Sequence, residues 1–182
     1  MKAGGGKRKG SQFEREIAKS LSLWITNNKR DDVFWLSSQS GGRSTQRKKS
    51  GQTTANSSGD ICYLDAIGKP FTDYFLIECK NGYTKEVDVL NTVDSSGELI
   101  LLKWFSKAQK ECNEAKKKQV MLIFKRNRKK PCIMMESNFL GFLESSKNKE
   151  YMERQIEICL NEFVIVNYKE FFKWFTSDFF KK

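Results

Sequence analysis

The chain has 182 residues, with 33 Lys and Arg against 22 Asp and Glu for a formal charge of +11, and its pI is near 9.4. That length suits one domain with a substantial core, and the charge favours a polyanionic partner, with nucleic acid ahead of a membrane surface. Histidine is absent, which excludes Ser-His and Cys-His nucleophile pairs, His-ligated zinc and imidazole bases, and leaves carboxylates, lysine and metal-activated water as reagents. No apolar run approaches the length of a membrane span and the start does not read as a signal peptide. The cysteines Cys62, Cys79, Cys112, Cys132 and Cys159 form no CxxC pair, so a reducing cytoplasm is expected, that of a bacterium or a phage-infected host, rather than a disulfide framework.

Residues 1–9 are basic and glycine-rich and read as a flexible arm. From Gly10 to about Thr26, Phe13, Ile17, Leu21 and Trp24 recur at helical spacing, with Ser11 as a candidate cap. Val33 to Leu36 is short and apolar enough for a strand. Residues Ser37 to Ser58 then carry no large apolar side chain and read as a mobile basic loop. Asp60 to Asp65 and Thr72 to Lys80 read as two strands joined by a hairpin at Ile67 to Pro70. A helix over about Glu98 to Lys117 leads to a buried strand at Gln119 to Lys125, a basic turn through Lys130, and an antiparallel neighbour at Cys132 to Met135. Beyond Glu136 the pattern predicts a helix near Lys149 to Leu160, a strand at Phe163 to Tyr168 and a last helix from Tyr168 to Phe180. The aromatic stripe of that helix suits core or a dimer seam better than a nucleic-acid platform.

The chemistry concentrates between Gly59 and Lys80. Strand periodicity puts Glu78 and Lys80 on one face with Cys79 on the other. Charge at the end of so apolar a segment needs a partner. If Glu14, Asp60 and Glu78 converge, they repel until a cation enters, and an oxygen-only donor set selects a hard ion, Mg2+ first with Mn2+ as substitute. The backbone carbonyl of Cys79 is a further candidate ligand. Such an ion lowers the pKa of a water enough to make it the nucleophile. Lys80 is placed to orient that water and to stabilise charge building on a phosphoryl oxygen. An E-x-K triplet alone is weak, since its ordinary meaning is a surface ion pair.

In order, the residues resemble the PD-(D/E)xK nuclease superfamily, and within it the archaeal-type and phage Holliday junction resolvases. Lys9 to Glu16 looks like the opening helix, whose metal-site acid matches Glu14, and Ser40-Gly41-Gly42 looks like the small-residue loop. Gly59-Asp60-Ile61 stands at the Asp strand, with glycine where the superfamily's name has proline, and Ile77-Glu78-Cys79-Lys80 matches the E-x-K strand. Gln109 resembles a glutamine of the following helix, and no role is assigned to it.

The resemblance implies an α/β, restriction-endonuclease-like fold: a central mixed sheet flanked by helices over residues 10–135, with a C-terminal αβα extension over 136–182. It implies a Mg2+-dependent endonuclease acting on DNA, structure-selective and homodimeric, with Glu14, Asp60, Glu78 and Lys80 at the site. Arg15, Arg43, Arg47, Lys48 and Lys49 would grip phosphates. A site-specific or nicking enzyme on linear DNA, and a non-catalytic nucleic-acid binder, stay open as alternatives.

Overall fold

The computed structural model describes residues 5–37, 58–83, 87, 99–146, 158–160 and 162–180. Helix α1 (Gly5–Ile25) is followed by strands β1 (Phe34–Leu36) and β2 (Ile61–Tyr63), a 3-10 turn (Ala66–Gly68), helix α2 (Lys69–Tyr74) and strand β3 (Phe75–Asn81). Helix α3 (Ile100–Glu114), strands β4 (Gln119–Lys125) and β5 (Cys132–Glu136), helix α4 (Ser137–Ser146), strands β6 (Ile158–Leu160) and β7 (Phe163–Asn167), helix α5 (Tyr168–Trp174) and a 3-10 turn (Ser177–Phe180) complete the described residues.

The main sheet has five strands in the order β3-β4-β5-β7-β6. Strands β3 and β4 are parallel and the other pairs antiparallel. The fold is therefore the expected α/β one, a mixed sheet flanked by helices. Its strands read as continuous apolar runs because both faces are covered. Phe75, Ile77, Met121, Ile123, Ile133 and Val164 belong to the core beneath α1, α4 and α5. Leu76, Val120, Leu122, Met134 and Ile165 join α3 on the other face through Leu101, Phe105, Ala108 and Cys112.

Helix α1 buries Phe13, Ile17 and Leu21 as its spacing predicts, with Ile25 buried as well and Trp24 partly buried against the same core. It starts at Gly5 rather than Gly10, so Ser11 lies inside the helix and is not its cap. Lys7, Arg8 and Lys9 are good helix formers, and Asn81 Nδ2 donates to Lys9 O at 3.2 Å, tying this turn to the end of β3. Buried Ser22 fixes β1: its hydroxyl donates to Ala18 O at 2.8 Å and accepts from Phe34 N at 2.9 Å.

The expected hairpin between two strands is replaced by helix. Asp65 caps the 3-10 turn by accepting from Ile67 N, Pro70 sits in the first turn of α2, and Phe71 and Thr72 are buried on that helix. Proline is favoured there because the missing N–H would be unpaired in any case. Strand β2 pairs antiparallel with β1, not with β3. The residue before it is hydrogen-bonded to β3, where Asp60 N donates to Ile77 O at 2.8 Å.

Residues after Glu136 add two strands to the same sheet. Strand β7 pairs with β5 from Cys132 opposite Asn167 to Glu136 opposite Phe163, and β6 pairs with β7. Ile158–Leu160 is thus strand, not the end of a helix, because its pairing with β7 outweighs the local helical pattern. The predicted helix over 149–157 and the loop over 38–57 lie outside the described residues. The C-terminal aromatics are core, as the stripe suggested: Phe171 and Phe175 are fully buried, and Trp24 Nε1 donates to Phe175 O at 2.7 Å. The helix stops at Trp174, earlier than Phe180, and a 3-10 turn carries Phe179 and Phe180 onto Tyr74 and Phe75.

Candidate active site

The carboxyl end of β3 carries the site residues. Ile77 and Cys79 point into one core and Leu76 into the other, so Glu78 and Lys80 share the face of Leu76, where they form a direct ion pair and keep only 16% and 24% side-chain exposure. Asp60 sits against the free edge of the same strand. Its backbone N–H is held by Ile77 O, and its Oδ2 accepts from Cys79 N at 2.8 Å. In a strand a residue's N–H and C=O lie on one edge, which puts the Cys79 carbonyl on the Asp60 side of β3.

Glycine at position 59 has a physical reason. Gly59 has φ of +80°, and a Cβ there would lie 2.6 Å from Ile77 O. Proline, locked near −65°, cannot adopt that backbone. Glycine therefore stands where the superfamily's name has proline because this backbone requires a positive φ before Asp60.

The electrostatics show that Glu14, Asp60, Glu78 and Lys80 share one field. Burial first, then the charge of Glu78, pushes the Asp60 carboxyl up to about 7, against the opposing pull of the Cys79 N–H and Lys80. Burial also raises Glu14, with Lys80 lowering it and Glu78 raising it. Burial disfavours the Lys80 ammonium, but Glu78 and Asp60 outweigh it and hold its pKa above the ordinary value. The Cys79 thiol is buried and its pKa is raised by that burial, so it is no nucleophile or ligand at neutral pH.

A family model described as "Phage putative PDDEXK endonuclease" matches residues 5–181. The chain belongs to that family. Neither a curated protein nor a solved structure gives a significant match. Family membership makes this a chain of the PD-(D/E)xK nuclease kind, with DNA as the substrate that such a family implies. No helix among the described residues is long and apolar enough to cross a membrane.

PD-(D/E)xK nucleases use divalent metals, and the donor set here fits a hard cation in kind. Asp60, Glu78 and Glu14 offer oxygens, and burial and the charge of Glu78 raise the Asp60 pKa in spite of Lys80, so added positive charge is favoured there. Among the described residues, no three Asp, Glu or Cys side chains close on a single point. Mg2+ does not require that, since it is held by one or two carboxylates and keeps several waters. Asp60 and Glu78 would hold it, with the Cys79 carbonyl on the same edge.

Two residues that the sequence did not single out secure this arrangement. Glu111 Oε1, on α3, accepts from Gly59 N at 3.0 Å. Lys117 Nζ donates to Ser58 O at 3.2 Å and Phe75 O at 3.3 Å, bridging the approach to Asp60 and the start of β3. Burial lowers the Lys117 pKa, so the ammonium is held there by carbonyls at the expense of hydration. The one sequence signal was the lysine run Lys116 to Lys118 ahead of an apolar strand, which ordinarily means a solvated end. Gln109, also on α3, donates to Asn113 Oδ1 at 3.3 Å, and its Oε1 is buried without a hydrogen-bond partner among the described residues. Arg15 is exposed on α1 next to Glu14. Arg43, Arg47, Lys48 and Lys49, with Ser40 to Gly42, lie outside the described residues.

Proposed function

We propose that the protein is a Mg2+-dependent DNA endonuclease that hydrolyses phosphodiester bonds at the carboxyl end of β3. The supporting observation is the meeting of Asp60, Glu78, Lys80 and Glu14 in one electrostatic field at that end. Bound Mg2+, or Mn2+ in its place, supplies a water of lowered pKa and positive charge beside the scissile phosphate. Asp60 and Glu78 hold the ion, and Glu14 binds it or its waters. Lys80, paired with Glu78 at the same end of the strand, would orient the attacking water and stabilise the charge that grows on the phosphoryl oxygen. The water oxygen bonds to phosphorus, losing a proton to solvent, as the bond to the leaving deoxyribose oxygen breaks and that oxygen takes up a proton from a water.

The substrate is branched DNA, in keeping with the resolvase-like order of the motifs. A four-way junction needs two sites, hence a symmetric homodimer. Trp35, Leu64 and Ile67, exposed on β1, just after β2 and on the 3-10 turn, are apolar surface suited to its seam. The test is cleavage of four-way, duplex and single-stranded DNA with Mg2+, comparing wild type with Asp60→Ala, Glu78→Ala and Lys80→Ala. Loss of about a hundredfold or more in each variant is expected. Full activity in all three ends the catalytic assignment. Single nicks by a monomer, indifferent to branching, end the junction reading while leaving the nuclease.

A further inference from the structure

We infer that the β4–β5 turn, Lys125 to Lys130, is a phosphate-gripping element that seats duplex DNA across the site. This rests on the nuclease reading above. Strands β3 and β4 are parallel and in register, with Lys80 opposite Phe124 and Asn81 opposite Lys125. The segment that leaves β4 therefore emerges at the same end of the sheet as Glu78 and Lys80. It is also fastened there. Gly82 N donates to Lys125 O at 2.9 Å, and Asn127 Nδ2 donates to Gly82 O at 3.2 Å. Lys129 N donates to Arg126 O at 3.1 Å to close the turn, and Pro131 O accepts from Tyr168 N at 3.1 Å to fix the return.

The side chains point outward. Arg126, Arg128, Lys129 and Lys130 are exposed, and none has an ion-pair partner among the described residues. Lys125 alone is engaged, 3.8 Å from Glu16 and 5.8 Å from the Phe13 ring centroid. A basic run is ordinarily a solvated surface. This one differs in that hydrogen bonds to Gly82 hold it two residues beyond Lys80, about 7 Å along the chain. A duplex with its scissile phosphate at Lys80 presents further phosphates at that distance. Arg128 has φ of +60°, a backbone that glycine adopts without strain and arginine does not. Charge and backbone preference are therefore opposed at this residue, and one substitution separates them.

The experiment measures binding of a 30-base-pair duplex by fluorescence anisotropy between 50 and 200 mM salt, in an Asp60→Asn background that cannot cleave. Arg126→Gln with Lys129→Gln should lower the slope of log affinity against log salt by about 2 and weaken binding about tenfold at 200 mM salt. Lys116→Gln with Lys118→Gln removes equal charge at the opposite end of β4 and should change neither. Arg128→Gly should lower the slope by about 1 while its thermal midpoint holds or rises. Equal losses in the two double variants would show that only net charge matters and overturn the inference. So would tight binding that ignores the turn substitutions. If the parent binds no duplex at any salt and the wild type cleaves no DNA, the nuclease reading itself fails and takes this one with it.

Discussion

Replacing Asp60 by asparagine should stabilise the metal-free protein, and increasingly so as pH rises. The native carboxyl has its pKa pushed from 3.8 to about 7 by burial and by Glu78. Between those values the native state binds a proton that the unfolded chain has lost, so stability falls as pH climbs through about 4 to 7. At about 1.4 kcal/mol per pKa unit, ionised Asp60 costs the metal-free fold about 4 kcal/mol above pH 7. Asparagine is neutral throughout, and its Oδ1 can still accept the Cys79 N–H that Oδ2 holds at 2.8 Å. From pH 5 to pH 8 the difference between variant and wild type should therefore grow by about 2.5 kcal/mol, or about 5–10 °C in thermal midpoint for a chain of this length. The assay is calorimetry with a chelator across that range. Excess Mg2+ at pH 8 should then raise the wild-type midpoint and leave the variant's where it was. Parallel pH profiles for the two proteins would refute the claim that Asp60 is strained by burial and like charge.

Lys117→Met keeps the buried stem but removes the ammonium from Ser58 O and Phe75 O; a loss of about 1–3 kcal/mol by chemical denaturation is expected, with kcat falling more than KM changes because Asp60 is misplaced. Gly59→Ala sets a Cβ 2.6 Å from Ile77 O at a φ of +80°, so it should cost about 1–3 kcal/mol in denaturant melts and reduce cleavage at least tenfold. Phe175→Ala opens the aromatic core around Trp24, Phe75 and Phe171; it should cost about 3–5 kcal/mol by urea unfolding, without shifting the metal concentration that half-saturates whatever folded enzyme remains.

Much of this was legible from local pattern. The β4 segment from Gln119 to Lys125 and the stripe of Phe13, Ile17 and Leu21 are set by side-chain periods that belong to single elements. The segment from Lys69 to Tyr74 was not legible as helix. It is short, its last residue Tyr74 runs directly into the apolar β3, and Pro70 fits the first turn of a helix as well as a turn between strands.

What the sequence by itself determined is which groups are available: oxygen donors, a lysine two residues after an acid at the end of an apolar segment, no imidazole, and a large positive charge. It also determined that Glu78 and Lys80 share a face, because that follows from the period of a strand. Tertiary structure alone decided what surrounds them. Asp60 reaches the edge of β3 without pairing as a hairpin strand. Glu111 and Lys117 close on the backbone before it from 52 and 59 residues away, and the turn after β4 is pinned 45 residues from Gly82. Contacts at such separations depend on how strands register and helices pack, and those depend on the whole core rather than on any one stretch of chain.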